Sequence, residues 1–294
     1  MTLQLTLMIL PAFGASVQMA EIGKRLFFDP RLSADQKISC ASCHRPELAF
    51  TNGERIGTGV FQRKGDRNVP TLLNREQDQL QFWDGRAKNL SVQALAVLSH
   101  PSEMGGDLNG LQKRISSDHF YQQDFAQVQK PKIEIPEIVE ALVAYMQTLK
   151  APEAPWDRFK KGESKAITLA AQRGSDLFFK KFKCVSCHSG QNFTDNQLRV
   201  RCYPHVGNLN VPTGPRFKTP TLRNLKYTAP YMHNGSLKTL RETVQFYTPS
   251  QALMANGQPL PNAAPMTISP TERDDLVAFL LSLSADRPFV ESKQ

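Results

Sequence analysis

The apolar pattern of the chain is written twice. "GKRLFF" (Gly23 to Phe28) stands ahead of "CASCH", and "GSDLFF" (Gly174 to Phe179) stands ahead of "CVSCH". A Phe-Thr pair follows each His, as Phe50-Thr51 and Phe193-Thr194. Each half then closes on an apolar segment of helical period, "LVAYMQTL" (Leu142 to Leu149) and "LVAFLLSL" (Leu276 to Leu283), lying beyond Pro136 and Pro270. Apolar residues three and four apart predict amphipathic helices, and a proline upstream suits a helix start. "LSVQALAVL" and "ETVQFY" carry the same period, whereas alternating, strand-type runs are few. The predicted order in each half is helix, C-x-x-C-H, long loops, helix. The class is therefore mainly α, one small helical unit duplicated. "KAPEAPWDRFKKGES", from Lys150 to Ser164, is rich in proline and charge and reads as a linker. The expected division is an apolar N-terminal segment over 1–19, a first domain over 20–160 and a second over 161–294.

Composition agrees with that division. The 294 residues suit two domains, and 40% hydrophobic with 21% charged residues is ordinary for globular cores. The net charge of +9 comes from scattered Lys and Arg with no aromatic-interleaved basic run, so no nucleic-acid partner is indicated. An excess of positive charge suits docking to an acidic protein. The opening "MTLQLTLMILPAFGAS" is apolar from Leu3 to Phe13, too short for a bilayer span. It reads either as the apolar region of an export signal or as an apolar arm; no Lys or Arg precedes it, the first being Lys24.

The chemistry lies in the cysteines. Of five, Cys40, Cys43, Cys184 and Cys187 form two C-x-x-C pairs and Cys202 is left over, which argues against a disulfide framework. C-x-x-C-H is the attachment motif for c-type haem. The two thiols form thioethers with the haem vinyl groups, and the adjacent His faces the iron as proximal ligand. His44 and His188 are those ligands. The competing reading, zinc held by both pairs, needs pairs much closer in sequence. Haem attachment of this kind takes place outside the cytoplasm, so a periplasmic location is expected.

The duplicated plan, "FWDGRAKNLSVQA…PSEMGG" and "KTPTLRNLKYTAPYMHNGSLKTLRETVQFY" together resemble the bacterial di-haem cytochrome c peroxidases and MauG. The resemblance runs from about Ala20 to Ala285. It implies two tandem cytochrome c-like helical domains, each with one covalently bound haem, acting on hydrogen peroxide. The family's peroxidases often have a His after the first haem motif that blocks haem 1. No His occurs here between Arg45 and Ser99, so haem 1 is expected to be open; His100 is either a distant ligand or a helix-end residue. For haem 2, the register from His233 implies Tyr247 as sixth ligand, where the peroxidases have Met and MauG has Tyr. A phenolate is hard and favours oxidised iron. Without that register Tyr247 reads as a core residue at a helix end, and Met254 and Met266 remain fallback ligands. Met232 and His233 then read as framework.

The resemblance also assigns Glu103 as the distal acid–base carboxylate, Gln93 as a pocket amide and Trp83 as a relay between haems; Trp156 reads as packing. It implies a calcium ion at Asn68, Thr228 and Pro230, oxygen ligation that suits this ion. One departure is notable. MauG has a surface Trp shortly before its second haem motif, used with its large protein substrate, and this chain has Phe182. The expected function is MauG-like oxidation of a protein or other electron donor. The alternatives are a peroxidase fed by a small cytochrome or cupredoxin, and a non-catalytic di-haem electron carrier.

Overall fold

The computed structural model of the protein describes residues 12–200, 216–250 and 268–289. Cys202, Met254 and Met266 lie outside the described residues. In the first half, α1 (Ala12–Phe28) leads to the single turn α2 (Cys40–Cys43), followed by α3 (Leu90–Ser99), α4 (Leu108–Ser116), α5 (His119–Gln127) and the closing α6 (Ile135–Thr148). The second half has α7 (Pro155–Lys160), α8 (Leu169–Asp176), α9 (Leu240–Ser250) and the closing α10 (Pro270–Ser282). A short ribbon pairs β1 (Leu198–Val200) antiparallel to β2 (Arg216–Lys218), with Leu198 opposite Lys218. The mainly α, two-unit expectation holds. Among the described residues no helix is long and apolar enough to cross a membrane.

Each repeated glycine has a packing reason. The helix ahead of the haem motif crosses the closing helix of its own half so closely that only a hydrogen fits. A Cβ on Gly23 would lie 1.8 Å from the Ala141 carbonyl oxygen, and one on Gly174 would lie 1.9 Å from that of Asp275. Around these crossings stand two cores, one with Leu26, Phe27, Phe50, Ile138 and Leu142, the other with Phe178, Phe193, Phe279 and Leu280. The apolar face read from "LVAYMQTL" and "LVAFLLSL" is what fills them. Trp156 packs into the second core, stacking on Phe159 and Phe179 and meeting Phe279 edge-on. The predicted linker is thus partly helix.

The duplication extends through the loops, at one constant offset. Thr71 and Thr221 each donate their hydroxyl to a backbone carbonyl at 2.6 Å, those of Ala49 and Asn192. Asn74 and Asn224 both take left-handed backbone, with φ of 59° and 61°. Phe82 and Met232 do so too, and each opens a one-bridge hairpin, Gln81 with Ala87 and Tyr231 with Leu237. At the same offset, α3 starts at Leu90 and α9 at Leu240. The halves meet through two reciprocal bonds: Asn68 N–H donates to the His233 carbonyl (2.8 Å), and Lys218 N–H donates to that of Trp83 (2.7 Å).

Candidate functional site

Both haem motifs fold as a tight turn in which the His backbone N–H returns to the first Cys carbonyl, His44 to Cys40 and His188 to Cys184, each at 2.9 Å. The two His rings are oriented alike. His44 Nδ1 lies 2.8 Å from the Phe50 carbonyl oxygen, and His188 Nδ1 lies 3.0 Å from that of Phe193. A carbonyl only accepts, so Nδ1 carries the proton and Nε2 keeps its lone pair for a metal. The repeated Phe after each haem motif therefore has a chemical reason: its backbone, at φ of 58° and 52°, supplies that carbonyl. Burial pulls His44 down to about 4, so the ring is neutral at physiological pH. Burial, and then the neighbouring Cys43, push the Cys40 thiol up to about 12.

A cavity of about 790 Å³ opens beside the second motif. Cys184, Cys187 and His188 line it, and so does Tyr247 on α9. Met232 also reaches it, and the Tyr247 hydroxyl lies 3.9 Å from the Met232 sulfur. Met232 and His233, read from sequence as framework, thus share the cavity wall with Tyr247. Thr243 lines it one turn before Tyr247. At the loop offset, the counterparts of Thr243 and Tyr247 on α3 are Gln93 and Val97.

On the first-half side, Gln93 sits mid-α3 with its Oε1 buried and without a hydrogen-bond partner among the described residues. Glu103 lies in the turn after α3, which is pinned by the Val60 N–H on the Glu103 carbonyl (3.0 Å) and the Ala34 N–H on that of Met104 (2.9 Å). Burial raises the Glu103 carboxyl above its usual range, while His100 and Arg86 pull it back. The Glu103 charge in turn helps burial push the Cys43 thiol up, which puts this carboxylate in the field of the first attachment site. His100 ends α3; it is exposed, and its Nδ1 accepts the Ser102 N–H at 3.2 Å.

Trp83 and Asn68 stand where the halves meet. The Trp83 indole N–H donates to the Asn68 carbonyl at 2.8 Å, and the Asn68 amide donates to the carbonyls of Glu54 (3.1 Å) and Arg55 (3.4 Å). Trp83, Asn68, Thr228 and Pro230 all border the cavity of the second motif. Sequence reasoning missed a buried charge cluster on the same wall. Asp78 Oδ2 lies 2.5 Å from both Arg75 Nη1 and Lys218 Nζ. Arg75 also donates to Gln81 Oε1 at 3.0 Å. The cluster holds two cations for one carboxylate. Among the described residues no three His, Cys, Asp or Glu side chains converge as a metal cluster, so the Cys pairs do not combine as a zinc site.

The description "Di-haem cytochrome c peroxidase" matches residues 17–165, and "Cytochrome c" matches residues 171–284. Cytochrome-c peroxidase IdrP2 of Denitromonas iodatirespirans is 33% identical, over 94% of this chain and 84% of its own length. The chain belongs to the di-haem cytochrome c peroxidase and MauG family. Within that family, the methylamine utilization protein MauG of Methylorubrum extorquens is 35% identical, over 90% of this chain and 78% of its own. A solved structure of a MauG-like protein associated with microbial copper homeostasis superposes with a TM-score of 0.80 at 26% identity, over 94% of this chain and 91% of that one. The protein is accordingly a peroxidase-type oxidoreductase with two c-type haems. Its residues fit them: thiols and an Nδ1-protonated His at each motif, and an excess of buried positive charge on the cavity wall to meet the carboxylates that haem carries.

Proposed function

We propose that the chain is a periplasmic, MauG-like oxidoreductase in which the first haem site takes hydrogen peroxide and the second stores or relays the oxidising equivalents. The haems would supply the iron redox chemistry, cleaving the peroxide bond at one site and exchanging electrons at the other. Cys40, Cys43 and His44 would hold the first; Cys184, Cys187, His188 and Tyr247 would hold the second. One observation carries the reading: Tyr247 and Val97 occupy the same register on equivalent helices. At that point one half would offer a phenol oxygen to a bound iron, whereas the other presents a hydrocarbon side chain that has no atom to coordinate one.

The open site has the groups that peroxide needs. Glu103 accepts a proton from the incoming peroxide and returns it to the departing oxygen; its burial-raised carboxyl suits both roles. The unpartnered Gln93 Oε1 accepts a hydrogen bond from the O–H of peroxide or water. Trp83 links the sites, held by its indole bond to Asn68. Asn68, Thr228 and Pro230 supply oxygens for a calcium ion at the same junction. Over one turnover, two electrons from a protein side chain or electron-donor protein and two protons convert one peroxide to two waters.

Adding stoichiometric peroxide to the fully oxidised protein and recording visible and near-infrared spectra tests this. An immediate change at both haems is expected; reactivity that appears only after one haem is reduced overturns it. The second reading is a peroxidase fed by a small cytochrome or cupredoxin. The Met232 sulfur beside the Tyr247 hydroxyl favours it, because a soft ligand stands at the same end of the cavity. Phe182, 3% exposed, offers no surface relay, which separates either reading from quinone maturation through an aromatic at that place.

A further inference from the structure

The reciprocal bonds between halves set Asn68 and Lys218 in equivalent places. Each lies two residues before the equivalent prolines, Pro70 and Pro220, and each gives its N–H to the opposite half, at 2.8 and 2.7 Å. Their counterparts across the junction correspond as well. Asn68 faces the loop that carries Thr228; Lys218 faces the loop that carries Asp78, which holds the same register as Thr228. On one side of the pseudo-two-fold the side chains are neutral oxygen donors. On the other, an ammonium and a carboxylate meet at 2.5 Å, both side chains 3% exposed.

We propose that Lys218 is the resident cation of a second junction position, equivalent to the one formed by Asn68, Thr228 and Pro230. One side of the junction takes up a free divalent ion, while the other carries its positive charge on the chain. This rests in part on the calcium reading given above. The chemistry is consistent. A buried carboxylate needs a partner, and Asp78 has two cations, Arg75 and Lys218. Burial and Arg75 draw Lys218 down to about 8, with Asp78 opposing, which leaves it charged at neutral pH. A fixed positive charge on the cavity wall favours the reduced iron of haem 2.

The test is the haem 2 reduction potential of the purified di-haem protein, measured by spectroelectrochemistry with calcium and with chelator. Lys218→Met should favour the oxidised form about tenfold, about 59 mV for one electron. Lys218→Arg should stay close to the parent. Asp78→Asn, measured at an acidic pH that keeps Lys218 protonated without its anion, leaves the cations and should shift the potential in the opposite direction by a similar factor. Loss of packing alone does not give opposite signs, and Asp78→Asn keeps the test available if Lys218→Met fails to load haem. An unchanged potential in a fully loaded Lys218→Met protein overturns the proposal, as do shifts of the same sign in Lys218→Met and Asp78→Asn. If chelator leaves the parent's potential untouched, the calcium reading at Asn68 falls, while the Lys218 shifts stand or fall independently.

Discussion

At the scale of single residues, two side chains carry the functional proposal. Tyr247→Met replaces a hard oxygen with a soft sulfur, so the haem 2 spectrum should change and its potential should rise; an unchanged spectrum removes Tyr247 from the coordination sphere. Glu103→Gln keeps the size of the side chain but cannot take a proton. The rate of reaction with peroxide should fall by about 10²–10⁴-fold, the usual contribution of a general acid–base group. The pH profile supplies a separate check. Proton abstraction needs the ionised carboxylate, and burial raises the Glu103 pKa. The rate should therefore fall as pH drops through a value above the ordinary glutamate range of about 4.3, and this acid limb should vanish in Glu103→Gln. Stopped-flow traces across pH read both effects.

At the scale of elements, the crossing of each haem-motif helix with its closing helix is the joint on which the motif is mounted. Gly23→Ala or Gly174→Ala would press a methyl group into a backbone carbonyl, which neither helix can avoid by a rotamer change. Each should cost about 3 kcal/mol, the upper end for overpacking, seen as a lower Tm and reduced haem loading in that half. This scale also divides what the sequence makes legible from what it does not. The helices, the haem motifs and the duplicated glycines are readable because covalent chemistry or helical period fixes their spacing. The carbonyl that Phe50 or Phe193 gives to its His is a backbone property, and a repeated Phe-Thr pair only hints at it. Lys218 and Asp78 pair across the junction, so neither looks unusual among the scattered charges. The loop register is hidden in the sequence because loops have no period; it shows only in matched turns, such as those at Asn74 and Asn224.

At the scale of the whole molecule, the proposed relay makes the junction a working part as well as a contact. Trp83 is fixed from both halves, by its indole bond to Asn68 and by the Lys218 N–H on its carbonyl. Trp83→Phe keeps an aromatic ring but loses the indole bond, worth about 1 kcal/mol of stability. Stability should change little, whereas transfer between the haems after a peroxide pulse should slow. A Trp83→Phe protein in which both haems respond as fast as in the parent removes this residue from the route.

The reciprocal pair of backbone bonds is what a two-fold axis produces in a dimer of identical subunits, where one patch meets its own copy. In such a dimer every substitution appears twice. A phenol placed against one iron would be placed against both, and a hydrocarbon would leave both exposed. Joining the copies in one chain removes that constraint. Val97 can differ from Tyr247, and Asn68 from Lys218, without disturbing the bonds that hold the copies together. Symmetry breaking within a fused pair would thus be the physical route to the proposed division, with one metal accessible and the other enclosed.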